Sequence, residues 1–410
     1  MNDDDAWSDL DSSVRSVLSV SGSIADRISL LEESIFSKAS QMFGFKSLKS
    51  HSKQHPQNND KFLELIKLKN DTNAQIAQCS SPQELEGLHQ ILAKAKSDIR
   101  VMRKNKRSRK NRWKIKKQRS AFRTNPWKTG KDILRPKSNV SLKASQEDMD
   151  KHLSESNADQ LKDIPLPPLP GLPDAPVVQV PFVTTRFDFK KFQKLLVTRR
   201  NGSSPGSNGI PYKVYKRCDM IASFLFDIFN RCAKNGVVPI MWRHAFVSFV
   251  PKVDSPSDSN ILDFRQIALI NVESKLFFSL VSSRLTNHIV HKNHFINTSI
   301  QKGCMEGIPG CWEHMAMLWD TFKDARLNKK SAATVWLDVA NAYGSIPHQL
   351  IFLALKRYGV ADSWINLIRS YYGGLWSKSN SEGAPSNWHM NQRGIFTGCT
   401  VSIILFLGCS

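Results

Sequence analysis

Asp338 ends the apolar run Trp336-Leu337-Asp338, and after Val339 a turn and helix start follow at Gly344-Ser345-Ile346-Pro347-His348. Just upstream, Ala333, Val335 and Leu337 alternate with Thr334, Trp336 and Asp338, and this period of two predicts a strand. A carboxylate where such a strand leaves the apolar interior is placed to hold a divalent cation, although a lone aspartate there also serves as a turn cap. Lys252 and Arg265 form a second set. Ala245 to Val250 and Phe264 to Ile270 read as a hairpin, with one of these cations on each side of its tip. An ammonium and a planar guanidinium so paired suit phosphate oxygens, whereas either alone would pass as a surface charge. The third set is a dense basic stretch: Arg103, Lys104, Lys106, Arg107, Arg109, Lys110, Arg112, Lys114, Lys116, Lys117 and Arg119. Like charges so close repel one another and are held together by phosphates, which predicts salt-sensitive nucleic-acid binding, a nuclear-import signal, or both. Trp113, Phe122 and Trp127 add rings on which single-stranded bases can stack.

These residues need elements to carry them. Ile24, Ile28, Leu31 and Ile35 share one helical face, and Phe62, Leu65 and Ile66 begin a second helix. In a third, Ser81-Pro82-Gln83-Glu84 supplies the start signal for the stripe Leu85, Leu88, Leu92, Ala95, Ile99, which runs on into the basic stretch. Seven prolines between Pro165 and Pro181 predict an extended linker, with an SH3-type ligand as another use. Past Phe182 helices and strands alternate. Asp219 is placed to cap a helix that Gly236 ends, Met315, Leu318, Phe322 and Ala325 make a stripe, one helix runs from about Pro347 to Gly359, and another from Asp362 to Gly373-Gly374. This order predicts an α+β domain on a largely antiparallel sheet. The divisions expected are 1–100 helical, 101–137 basic, 138–181 a polar and proline-rich linker, and 182–410 the main domain.

A net charge of +22 on 410 residues points to a polyanionic partner, nucleic acid first and an anionic membrane second. The start, with Asp3, Asp4 and Asp5, lacks the basic and apolar parts of a secretory signal, and no apolar run nears the roughly 20 residues of a span. Seven scattered cysteines read as reduced thiols, so a nuclear or cytoplasmic, non-secreted protein is expected. Cys304, Cys311 and His314 lie close in sequence, but a fourth zinc ligand at regular spacing is missing.

Six segments in order resemble the reverse transcriptases of non-LTR, LINE-like retrotransposons: Ser204 to Pro211; Val250-Pro251-Lys252; Phe264 to Leu269; Gln301-Lys302-Gly303 with Gly307 to Gly310; Asp338 to His348; and Arg393 to Cys399. The likeness covers about residues 182–410. It implies the fingers and partial palm of a right-hand polymerase, preceded by a mostly helical, partly disordered basic region. It also implies RNA-directed DNA synthesis from an RNA template, a DNA primer and deoxynucleoside triphosphates with Mg2+, without a membrane partner. By resemblance, Asp338 is the catalytic carboxylate and a metal ligand, joined by the Val339 carbonyl. Lys252 and Arg265 fold over the triphosphate, Tyr343 is the steric gate against a ribose 2′-hydroxyl, and Gly398 lets backbone approach the nucleotide or template. For Tyr343 and Gly398 the residues alone also allow a core tyrosine and an ordinary turn glycine.

Thr397, Ile403 and Gln266 depart from the commoner family residues glutamine, proline and proline. The family's aromatic-x-Asp-Asp turn is not found in residues 1–410, where adjacent aspartates occur only at Asp3 to Asp5. The expectation is a fragment cut before that turn, inactive alone, with Val401 to Leu407 an apolar segment short of packing partners and prone to aggregate. A non-catalytic RNA- or DNA-binding protein derived from such an element is the alternative, and a template-directed RNA polymerase is disfavoured by Tyr343.

Overall fold

The computed structural model describes residues 3–15, 21–44, 60–79, 82–126, 140–167, 172–253, 255–305, 308, 310–381 and 383–409. In chain order the main elements are α1 (Asp3–Ser13), α2 (Ile24–Phe43), α3 (Asp60–Gln78), α4 (Pro82–Thr124), α5 (Gln146–Asn157), α6 (Phe189–Thr198), α7 (Tyr212–Arg217), α8 (Asp219–Asn235), β1 (His244–Pro251), β2 (Phe264–Leu269), α9 (Val272–Thr286), α10 (Trp312–Leu327), α11 (His348–Arg357), α12 (Asp362–Tyr372), β3 (Trp376–Ser381), β4 (Ala384–Pro385), β5 (His389–Met390) and α13 (Ser402–Cys409). They divide into two compact units, Met1–Phe45 with Asn139–Ser410, and Lys46–Ser138.

In the smaller unit, α3 packs on the first half of α4, burying Leu92, Ala95 and Ile99 of the predicted stripe. The Arg103 guanidinium lies over the Phe62 ring, 5.9 Å from its centroid. From there α4 continues through the basic stretch as part of one helix of 43 residues. Within the mostly helical region expected ahead of the main domain, residues 103–119 are helix. Lys and Arg are good helix formers, and neither glycine nor proline interrupts the chain between Leu88 and Asn125. Ser81, the predicted cap, lies outside the described residues.

The larger unit is a mixed helix and strand fold with a sheet in the order β2-β1-β3-β4, and β5 on β3. Its pairs are antiparallel except β1 with β3, which is parallel. The main core packs α8, α9 and α12 around Trp242, Phe277, Trp364 and Tyr371, all essentially buried. Helix ends follow the predicted glycines: Gly236 and Gly359 stop α8 and the turn after α11 at φ +65° and +64°.

Three expectations about organisation are corrected. First, the division expected at residues 1–100 does not hold for α1 and α2, because Trp7, Leu10, Ile28, Leu31 and Ile35 are buried in the main core of the larger unit. Asp11 accepts the backbone N–H groups of Met220 and Ile221 at 3.0 Å each, so it caps α8 where Asp219 was expected to. Second, the stretch 138–181 is not merely a linker. Met149 and Leu153 of α5 are buried with Leu142, Phe264 and Ala384, and Asn293 Oδ1 accepts from the N–H groups of Gln179 and Val180 at 2.9 and 2.8 Å. Third, α13 has its packing partners: Ile404, Leu405 and Leu407 are buried, and the Phe406 ring stacks on Tyr343 with centroids 5.0 Å apart.

The predicted strand at 333–339 does not form. Residues 331–339 form no regular element and pair with no strand among the described residues, and Leu337 is 93% exposed. An alternating run becomes a strand only where another strand takes its N–H and C=O groups, and no described strand lies beside it. The α10 stripe is also turned outward: Met315 and Phe322 are exposed, Ala325 is buried, and Trp312, Met317 and Trp319 add to the uncovered apolar surface. Such a patch promotes self-association. The double substitution Trp319→Lys with Leu337→Lys is expected to lower light scattering of the concentrated protein. Thermal stability should stay within about 0.5–1 kcal/mol, as for exposed positions. A drop in stability without gain in solubility would show that these side chains pack in solution.

Candidate nucleotide-binding site

The framework begins at the junction of β2 and α9. The loop 204–210 lies against it so closely that a Cβ on Gly206 would meet Asn271 Oδ1 at 2.2 Å and the Ile270 carbonyl carbon at 2.5 Å. Asn271 Oδ1 accepts from Ser207 Oγ at 3.2 Å and from the Asn208 N–H at 3.3 Å, while Asn208 Nδ2 donates to both Glu273 carboxyl oxygens at 3.1 Å. Tyr215 Oη donates to the same carboxyl group. Glu273 is buried in full and Glu32, from α2, nearly so. Burial raises the Glu32 carboxyl to about 9 and the neighbouring Glu273 pushes it the same way, against the Asn208 and Trp242 side chains. Burial also raises Glu273, with Tyr215 and Asn208 pulling back. The pair thus holds a proton at neutral pH.

The hairpin of β1 and β2 pairs Val250 with Arg265, and the Lys252 N–H donates to the Asp263 carbonyl at 2.9 Å. Directly opposed residues share a face and the side-chain period is two, so Lys252 falls on the face of Val250 and Arg265. Both cations are exposed there. The outer edge of β2 is closed by the segment around Gly398: the Ala268 N–H donates to the Thr397 carbonyl at 2.9 Å and Thr397 Oγ1 to the Gln266 carbonyl at 2.5 Å. Gly398 has φ +110°, and a Cβ there would lie 2.7 Å from the Ala268 carbonyl oxygen. Only glycine fits both conditions.

The same segment reaches the turn after Asp338. The Ile395 N–H donates to the Tyr343 carbonyl at 2.8 Å, the Gly394 N–H to the Ile346 carbonyl at 2.7 Å, and His348 Nε2 lies 2.9 Å from the Gly394 carbonyl. Tyr343 is half-buried against Phe406, and burial, then the Cys304 thiol, raises its phenol. Lys252, Arg265, Tyr343 and Gly398 therefore stand on one connected framework. Among the described residues no hydrogen bond joins Asp338 or Val339 to it, and both are exposed. A carboxylate and a carbonyl oxygen suit Mg2+ in kind, yet among the described residues no group of three or more His, Cys, Asp or Glu could hold a metal ion. The donor set falls short in number. His314 Nε2 lies 3.2 Å from the Ser299 carbonyl.

The basic residues 103–119 belong to the other unit, where every described side chain from Arg103 to Pro126 is exposed. The sequence reading overlooked Asn271 and Thr397. Asn271 had a signal, an amide between a strand and a helical pattern; Thr397 appeared only as a departure from the family residue.

Residues 250–409 match the family described as reverse transcriptase (RNA-dependent DNA polymerase). That stretch is similar to a reverse transcriptase domain, and the relatives it matches are of the non-LTR retrotransposon kind. The chain is 25% identical over 204 residues to the retrovirus-related Pol polyprotein from type-2 retrotransposable element R2DM of Drosophila melanogaster, covering 50% of this chain and 18% of that protein. Over 180 residues it is 23% identical to the Pol polyprotein from type-1 retrotransposable element R2 of Nasonia vitripennis, covering 44% and 17%. The matched stretch is thus under a fifth of the length of these relatives. The reverse transcriptase match begins at Val250 and so takes in both hairpin cations, the turn after Asp338 and the Gly398 segment. Among the described residues no helix is long and apolar enough to cross a membrane.

Proposed function

We propose that this chain is the fingers and first part of the palm of an RNA-directed DNA polymerase that copies the RNA of a retrotransposon. The placement of Lys252 and Arg265 on one exposed face, with Gly398 closing the neighbouring strand edge, supports this reading best. Lys252 and Arg265 take the triphosphate of an incoming deoxynucleotide, Tyr343 borders the sugar, and Asp338 with the Val339 carbonyl contributes hard oxygens to a divalent-metal site. An RNA template and a DNA primer are the nucleic-acid partners of the larger unit, the basic helix is a further nucleic-acid contact, and the chain works in the nucleus or cytoplasm. Nucleotidyl transfer needs charge neutralised on both attacking and leaving oxygens, and the carboxylate at position 338 is too little for that alone.

Primer extension on an RNA template is expected to be undetectable with residues 1–410. It should appear in a longer version of the protein to which an Asp-Asp turn has been added. In that longer protein Asp338→Ala should lower the rate by about 10^3-fold or more, the equivalent of several kcal/mol of lost charge stabilisation. Activity that survives Asp338→Ala would sink the assignment. Inactivity of every version, together with tight salt-sensitive RNA or DNA binding lost on deletion of residues 103–119, would favour the second reading, a non-catalytic binding protein. The long cationic helix is the observation behind that reading.

A further inference from the structure

Most cations of α4 fall on two opposed rows, which specifies a ligand more narrowly than net charge does. The argument rests on the reading that this segment binds nucleic acid. Arg100, Arg103, Arg107, Lys110, Lys114 and Lys117 follow one another at alternating steps of three and four residues, which keeps positions on one side of a helix. Arg109, Arg112, Lys116, Arg119 and Arg123 repeat that spacing nine residues later. At 3.6 residues per turn, a shift of nine is about two and a half turns, so the second row lies on the opposite side. The sequence from Ile99 to Lys131 contains no acidic residue to pair with either row.

The first row continues the side that carries buried Leu92 and Ile99, where α3 packs. Beyond Arg103, over the Phe62 ring, that cover ends, and the described side chains are exposed all round the helix. Arg103 to Arg123 spans about 30 Å at ~1.5 Å per residue. A bare rod with this charge is disfavoured by repulsion between neighbouring turns and is stabilised by anions on both sides.

A single strand laid along the rod offers one line of phosphates and leaves the opposite row unpaired. A duplex groove offers a phosphate backbone on each side. The major groove of B-form DNA, about 12 Å wide, admits an α-helix of about 10–12 Å, whereas that of A-form RNA is too narrow for side chains to read. We infer that α4 from Arg100 to Arg123 seats in the major groove of duplex DNA, with one cationic row facing each backbone.

The test uses the full chain and fluorescence anisotropy over a range of salt, with a 24-base-pair DNA duplex, the matching RNA duplex and single-stranded RNA as probes. One variant carries Gln at 103, 107, 110, 114 and 117, the other at 109, 112, 116, 119 and 123; Gln keeps helix propensity close to that of Lys and Arg. The DNA duplex should bind at least about tenfold more tightly than either RNA. Each variant should weaken DNA binding by at least about tenfold and flatten the salt slope by a similar amount, up to about 4, since each phosphate contact contributes about 0.9. Loss confined to one row, or RNA bound as tightly as DNA, overturns the groove assignment while leaving nucleic-acid binding intact. Unchanged binding of all three probes by both variants, with helicity by circular dichroism unchanged, shows instead that the underlying reading is wrong.

Discussion

Gly206→Ala is expected to destabilise the larger unit by about 3–5 kcal/mol, the range reached when a new atom meets backbone that cannot withdraw. The added methyl would lie 2.2 Å from Asn271 Oδ1 and 2.4 Å from Asn271 N. Oδ1 is a side-chain atom held in place by Ser207 and Asn208, and Asn271 N is backbone that joins β2 to α9, so shifting it moves the strand that carries Arg265. The less costly response is for the loop 204–210 to lift. Lifting breaks the bonds of Ser207 and Asn208 to Asn271 and takes Asn208 away from Glu273. Each lost bond removes about 1 kcal/mol, with more where a buried carboxyl oxygen is left unpaired. Gly202→Ala is the control, because a Cβ there meets nothing within 4 Å, and it should change stability by less than about 1 kcal/mol. Urea unfolding followed by circular dichroism measures both. Equal effects at 202 and 206, or a loss under 1 kcal/mol at 206, would mean that the close approach of loop and helix does not hold in solution.

What could be read from the residues, and what could not, follows the range of the forces. The hairpin of β1 and β2 was legible because its alternation and its Pro251-Lys252 exit are local, and α8, α11 and α12 were legible because glycine at 236, 359 and 373 marks their ends. The docking of α2 was not. A stripe of Ile28, Leu31 and Ile35 says that a face will be covered without saying by what, and the cover comes from around Phe224 and Trp242, about two hundred residues away. Helix α5 was missed within a polar stretch since it buries little besides Met149 and Leu153, although Ser145 accepting from the Asp148 N–H at 3.1 Å is an ordinary start signal. The Asp338 strand fails in the other direction. Its pattern is right for a strand, but pattern specifies a face and pairing requires a neighbour. Lys252, Arg265, Tyr343 and Gly398 were named through local pattern and family motifs, while the bonds by which Asn271 and Thr397 tie the framework together run to residues distant in sequence, which no local pattern specifies.

Glu32→Gln should stabilise the protein, and the gain should grow with pH. In the native chain Glu32 lies beside Glu273, and burial first, then that second carboxyl, lifts its proton affinity to about 9 from an ordinary 4.5. An acid whose folded value lies above its unfolded one favours folding fully below about pH 4.5, and that contribution drains away as pH rises toward 9. At about 1.4 kcal/mol per unit of pH, folding at pH 7 has lost about 3 kcal/mol relative to the acid limit. The groups around the pair do not compensate: Tyr215 is pushed well above its ordinary value by burial and stays neutral, Cys218 is raised to about 12, and Lys275 is lowered by its own burial. Glutamine keeps the shape of the protonated acid and needs no proton. Glu273 can then ionise against the donors Asn208 and Tyr215 without a second carboxyl opposing it. The expected gain is near zero at pH 5, about 2 kcal/mol at pH 7 and larger at pH 8.5, read from urea unfolding at the three pH values. Glu32→Ala separates charge from packing, since it removes the proton dependence and the side-chain volume together; it should show the same pH trend from a lower baseline. A Glu32→Gln effect that is constant from pH 5 to 8.5 would mean that the proton shared by α2 and α9 does not exist, and that the two carboxyls add nothing pH-dependent to the hold of α2 on the main core.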